Sequence, residues 1–176
     1  AQANNRKVKR NILKPFNGKS YEEVKEHILR KVIREDQRLF HLPEPLIRQE
    51  FNEAVEEIER QIERDGRHHL AELKAELQRE RLIYAFEARK LALKDARKFE
   101  RQLNALEANH PLYRKRVVGI SSIGDEVDYI NWTMSPLLRM AYRMGLKRSS
   151  HIGERWRVGD EEKMKVFRRV RDEIRR

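Results

Sequence analysis

Residues 45–109 read PLIRQEFNEAVEEIERQIERDGRHHLAELKAELQRERLIYAFEARKLALKDARKFERQLNALEAN, and the fold depends on how many helices that stretch makes. One stripe steps through it by four, four and three residues. It runs Ile47, Phe51, Val55, Ile58, Ile62, Gly66, His69, Leu73, Leu77, Glu80, Tyr84, Ala88, Leu91, Asp95, Phe99, Gln102 and Leu106, most of them apolar. A repeat of eleven residues is three helical turns. Because the phase holds through Gly66, the spacing predicts one continuous helix over 45–109, about 95 Å long at ~1.5 Å per residue. Asp65-Gly66 is the weak point, since glycine can end a helix in the left-handed conformation, and an antiparallel hairpin hinged near Arg64–Arg67 is the competing structure. A narrow stripe on a rod cannot form a globular core by itself. Ile47, Phe51, Val55, Ile58, Ile62, Leu73, Leu77, Tyr84, Leu91, Phe99 and Leu106 are therefore the expected protein-interface residues.

The remaining chain fits an all-α, extended protein. Of 176 residues, 39% are charged, well above the roughly 25% of an average domain. Another 39% are hydrophobic, so burial must come from amphipathic helix faces. Runs of alternating β-branched residues are scarce, which argues against a sheet. Residues 1–19 read as a basic arm, with Pro15 and Asn17-Gly18 as breakers. Ser20 with Glu23 spells a capping box, and Val24, Ile28, Val32 and Ile33 recur on one face of a short helix over 20–40. Pro43 and Pro45 make a sharp joint before the long helix.

His110-Pro111 stops the long helix, and 110–176 forms a small helical region with a basic loop and a basic last helix. Tyr113–Ile120 is the expected place for any short strand or extended contact. Asp125 caps a short helix carrying Val127, Ile130 and Met134, and Ser135-Pro136 opens another that runs to Gly145. Leu146–His151 reads as a loop, and Asp160 opens a last helix with Met164, Phe167, Val170 and Ile174.

The net charge of +11 is not spread evenly. Residues 1–19 carry six bases and no acid, 45–109 carry 13 bases and 14 acids, 110–124 carry three bases and no acid, and 161–176 carry seven bases and four acids. Within the long stretch, residues 67–109 hold ten bases and seven acids, so this half should face the more anionic neighbour. Acid-free basic runs on a near-neutral scaffold suit a polyanion partner, because Lys and Arg release counterions condensed on phosphates. The expected RNA-binding set is Arg6, Lys7, Lys9, Arg10, Lys14 and Lys19 in the arm; Tyr113, Arg114, Lys115 and Arg116; Lys147 and Arg148; Arg155, Trp156 and Arg157; and Arg168, Arg169, Arg171, Arg175 and Arg176. Guanidinium groups bond phosphates bidentately and the rings stack on exposed bases. No sequence-reading RNA module is spelled out, so backbone contacts should dominate.

Several chemistries find no support in the residues. There is no cysteine, hence no disulfide, thiolate metal site or thiol nucleophile. Gly119-Ile-Ser-Ser-Ile-Gly124 lacks the Gly-Lys-Ser of a phosphate loop and has Ile123 where a nucleophile elbow needs glycine, so it reads as a flexible turn. His68 and His69 are adjacent and point about 100° apart on a helix, so they cannot share a metal. The Asp125-Glu126-Val127-Asp128 run lacks further carboxylates for a cation shell. No catalytic residue, metal or cofactor is expected, and no apolar run approaches the ~18 residues of a membrane span.

The expected function is that of a non-catalytic structural subunit of a large ribonucleoprotein, an organellar (mitochondrial) ribosome above all. Its partners would be rRNA and neighbouring proteins, with no small-molecule substrate. The alternative is an accessory or stalk subunit of a mitochondrial energy-converting membrane complex, with the basic tails on an anionic lipid surface. The first stretch, Ala-Gln-Ala-Asn-Asn-Arg-Lys-Val-Lys-Arg, is basic and acid-poor, as expected after removal of an organellar targeting segment. The mitochondrial matrix is therefore the expected location, with the cytoplasm as the alternative, since loss of an initiator Met before alanine would leave the same start.

Overall fold

The computed structural model describes residues 2–65, 71–122 and 131–150. Among these residues six helices and one short pair of strands follow in chain order: α1 (Gln2–Leu13), a 3-10 turn (Lys14–Phe16), α2 (Tyr21–Phe40), α3 (Glu44–Asp65), α4 (Ala71–Asn109), α5 (Pro111–Arg114), β1 (Gly119–Ser122), α6 (Asn131–Arg143) and β2 (Lys147–Ser150). The protein is all-α in class. Its longest element is α4, whose 39 residues reach about 58 Å, against about 30 Å for α2 and 33 Å for α3.

The continuous helix over 45–109 is corrected by this structure to two helices lying side by side. Glu63 Oε1 and Lys74 Nζ are 2.7 Å apart, whereas eleven residues along a straight helix separate them by about 16 Å. Trp132 makes the same point over a longer interval. Its ring meets Phe51 of α3 edge-on at 5.8 Å and lies 5.2 Å from the Arg89 guanidinium of α4. An unbroken stripe does not exclude this arrangement, because two helices facing one core need apolar faces as much as one rod does. Gly66, His68 and His69, on which the alternatives turned, lie outside the described residues.

The main core forms where α2, α3 and the first half of α4 meet. Val24, Ile28 and Val32 of α2, Ile47, Phe51, Val55, Ile58 and Ile62 of α3, and Leu82, Ile83 and Phe86 of α4 close it, with Trp132 of α6 at one end. The expected capping box opens α2: Ser20 Oγ accepts from the Glu23 amide at 3.2 Å and the Ser20 amide donates to Glu23 Oε1 at 3.5 Å. His41, with φ of 52°, takes a left-handed conformation and ends α2 just before Pro43. The arm over 1–19 is corrected as well. Residues 2–13 are helical, and Ile12, Leu13 and Phe16 pack on the core. Arg79 fixes the end of this segment by donating from Nε to Lys19 O at 2.8 Å and from Nη2 to Phe16 O at 2.5 Å.

Beyond the main core α4 overhangs its neighbours, and α5, α6 and the strands cover part of the overhang. Leu103, Ala141 and Leu146 form a second cluster with Phe99, Leu106, Val117 and Met144 against it. Ser135-Pro136 does not start a helix, as the sequence suggested, but sits inside α6. Proline has no amide to give the Trp132 carbonyl one turn back, and the Ser135 hydroxyl donates to that carbonyl instead, at 2.9 Å. Gly145, with φ of 71°, ends α6; the Leu146 amide donates to Ala141 O and the Gly145 amide to Tyr142 O, both at 2.9 Å. Residues 147–150 are strand and not loop, and 119–122 are strand and not a flexible turn. The two run parallel, with Gly119 opposite Lys147. Gly119 is required there, because a Cβ would stand 2.7 Å from Lys147 O. Of the helix expected after Asp125, Val127 and Ile130 lie outside the described residues and Met134 falls inside α6; the helix expected after Asp160 lies outside them.

Candidate nucleic-acid interface

The stripe proposed for protein contacts is largely used inside the chain. Ile47, Phe51, Val55, Ile58 and Ile62 are buried in the main core. Leu77, Phe99 and Leu106 are partly buried against the two clusters. Tyr84 donates to Glu80 at 2.9 Å, and its hydroxyl pKa is pushed up to about 12 by burial and by that carboxylate. Leu73 and Leu91 remain exposed. Along α4 the buried positions Leu82, Ile83, Ala85, Phe86, Arg89, Ala92, Leu93, Ala96 and Leu103 lie mostly about a third of a turn or more from the stripe, because α2 and α3 over its first half and α6 beyond them cover the helix from a different side than the periodicity implied.

What α4 presents outward is basic. Lys94, Arg97, Lys98 and Arg101 recur at the i, i+3, i+4 and i+7 spacing that puts side chains on one helical face. All four are exposed, and none forms an ion pair among the described residues. The acids of this half-helix are turned elsewhere. Glu100 faces α6 and pairs with Arg143 at 3.2 Å, and Asp95 projects about a third of a turn from the centre of the stripe. One turn earlier, Lys90 lies on the same face and pairs with Glu87 at 2.5 Å.

Helix α1 lies along this same face of α4. The turn and loop that follow it are held at Arg79, while Val8, Asn11 and Ile12 share a groove with Phe86, Glu87 and Lys90. Moving back along α1 therefore carries the chain toward Lys94. Arg6, Lys7, Lys9 and Arg10 are all exposed on this helix, next to the Val8, Asn11 and Ile12 that line the groove with Lys90. Two basic segments more than 80 positions apart in sequence thus lie on helices that pack against each other. Sequence reading found the first and missed Lys94, Arg97, Lys98 and Arg101, although their spacing was the available signal.

The other expected contacts separate into three fates. Tyr113, Lys115, Arg116, Lys14 and Lys147 are exposed. Arg114 is corrected from a phosphate ligand to a structural pin, donating to Val117 O at 3.2 Å and to Met144 O at 3.3 Å. Lys19 is half-buried, its ammonium 3.0 Å from His27 Nδ1. The side chain of Arg148, and Arg155, Trp156, Arg157, Arg168, Arg169, Arg171, Arg175 and Arg176, lie outside the described residues.

Behind this surface stands a buried ionic network that local sequence patterns do not betray. Asp36 of α2 and Arg89 of α4, each 1% exposed, pair through Arg89 Nη2, which lies 2.7 and 2.8 Å from the two carboxylate oxygens. Glu35 lies 3.4 Å from the same guanidinium, and Trp132 stacks on it. Arg139 of α6 reaches Glu50 of α3 and comes within 4.0 Å of Asp36. Arg143 adds a bond to Leu39 O at 2.8 Å. These contacts tie α2, α3, α4 and α6 together and hold α4 where its outer face stays open. Among the described residues no helix is long and apolar enough to cross a membrane. Set against known proteins, the chain matches no family model, no curated protein and no solved structure.

Proposed function

We propose that this protein is a non-catalytic structural subunit of a large ribonucleoprotein, with an organellar (mitochondrial) ribosome as the assembly. The observation that carries this reading is the outward basic face of α4, Lys94, Arg97, Lys98 and Arg101, with the exposed Arg6, Lys7, Lys9 and Arg10 on α1, which packs against α4. Bases used only for solubility are interspersed with acids. Here the acids are turned away while the cations are left without partners, which suits a row of phosphates. The helices behind the face provide rigidity, and the chemistry asked of the side chains is charge neutralisation. The contact reads RNA shape and backbone, not base identity.

Salt dependence tests this directly. For duplex RNA, log affinity should fall linearly with log salt concentration, and alanine at Lys94, Arg97, Lys98 and Arg101 together should flatten the slope by about 3, at ~0.7–0.9 per phosphate contact. Affinity purification from native lysate, with and without ribonuclease, tests the assembly. Co-purifying rRNA and ribosomal proteins support the reading. Ribonuclease-resistant recovery of respiratory or ATP-synthase subunits, with tight binding to anionic vesicles and none to RNA, would overturn it.

A further inference from the structure

At the far end of α4 the surface changes character. His110-Pro111 breaks the helix, and α5 with the residues after it forms a knob that is held firmly and yet left open. Arg114 holds it from within, its two bonds to Val117 O and Met144 O tying the knob to the end of α6. Val117 packs into the second core cluster. Around this anchor the outward side chains are aromatic, apolar and cationic together. Tyr113 is 60% exposed and Leu112 75% exposed. The Arg116 guanidinium lies over the Tyr113 ring, 5.6 Å from its centre, and His110 meets the ring edge-on at 5.9 Å. Lys115 projects beside them.

An aromatic ring left in water on a rigid support, with cations on its border and no acid between residues 108 and 124, is the chemistry of a base-stacking platform. The ring offers a flat apolar face to any nucleobase, and the cations meet the phosphate next to it. A duplex buries its base faces within its own stack, so a paired strand cannot use such a ring. We propose that Tyr113, with Arg116, stacks an unpaired base of RNA, so that the protein clasps a duplex along α4 and a single-stranded loop or end at α5. This inference rests on the RNA-binding reading above and adds the class of RNA element recognised at this end.

The test compares two fluorescent RNAs with the whole protein by polarisation: a fully paired duplex, and the same duplex bearing an unpaired loop. Tyr113→Ala should weaken binding of the looped RNA by about tenfold, leave the duplex unchanged and leave the salt slope of both unchanged. Tyr113→Phe keeps a ring and should restore looped-RNA affinity, which separates stacking from a bond through the hydroxyl. The stripe variants at Lys94, Arg97, Lys98 and Arg101 serve as the comparison, since they should weaken both RNAs. Equal affinity of Tyr113→Ala and the parent for the looped RNA, with the stripe variants still impaired, overturns the platform and leaves the RNA-binding reading standing. Binding of neither RNA by the parent protein overturns both.

Discussion

The side chain on which this structure depends most is Arg89. A guanidinium removed from water is tolerated only because Asp36 accepts two bonds from it and Trp132 covers its face. Removing one partner strands the other charge, so Arg89→Ala should destabilise by about 3–5 kcal/mol in urea unfolding. Replacing both, with Arg89→Met and Asp36→Leu, should lose far less than the two single changes added together, a coupling that a double-mutant cycle reads directly. The pair was illegible in the sequence. Asp36 and Arg89 are 53 positions apart, and each stands among charges that read as a solvated helix face. His27 makes a second prediction. Burial first, then Lys19, Lys31 and Arg30, hold its imidazole pKa below the usual value. The unfolded chain therefore takes up a proton near pH ~6.5 that the folded chain refuses. Stability is unaffected by this group above that pH and falls below it. His27→Gln should remove that component, so the difference in unfolding free energy between variant and parent should change progressively as pH falls from about 7 to about 5.

Among the elements, the best-read helix is α2, because its start is written locally. A hydroxyl and a carboxylate three residues apart close the capping box whatever surrounds them. Helix α6 was misread for the converse reason. Pro136 normally marks a first turn, and only the neighbouring Ser135 hydroxyl, by replacing the missing donor to Trp132 O, lets the helix run through it. Ser135→Ala leaves that carbonyl without this donor and should cost about 1 kcal/mol in thermal or chemical unfolding. The strand pair could not be read from either segment alone, since β1 and β2 are far apart in sequence and a four-residue run carries little periodicity. Gly119 gives the pairing a sharp test. Gly119→Ala drives a Cβ toward Lys147 O, so the strands must separate. The Lys147 amide, which donates to Val118 O at 2.9 Å, should then exchange with solvent much faster, while the amides of α2 and α3 keep their protection.

In the whole molecule, one long helix and two shorter helices side by side are alternatives that an apolar stripe does not distinguish. Phase records which face of a helix is buried and carries no record of what buries it. Tertiary contacts decide the matter. Phe51 and Arg89 both pack on one tryptophan, so the chain must fold back between α3 and α4. That reversal also shapes the candidate interface, because it clusters α1, α2 and α3 around the first half of α4 and leaves the second half projecting with its basic face free. The absence of cysteine makes the arrangement directly measurable. Arg48 and Lys90 have half-exposed side chains, each paired only within its own helix, so Arg48→Cys with Lys90→Cys accepts spin labels with little disturbance. A single straight helix would hold these positions about 63 Å apart, 42 residues at ~1.5 Å each. Packed helices have axes about 8–10 Å apart, and allowing for the label arms the spin–spin distance should fall below about 25 Å. Pulsed dipolar spectroscopy separates these values clearly. A distribution centred near the longer distance would restore the rod and return Ile47, Phe51, Val55, Ile58 and Ile62 to a partner's surface, whereas the shorter distance fixes them inside this chain.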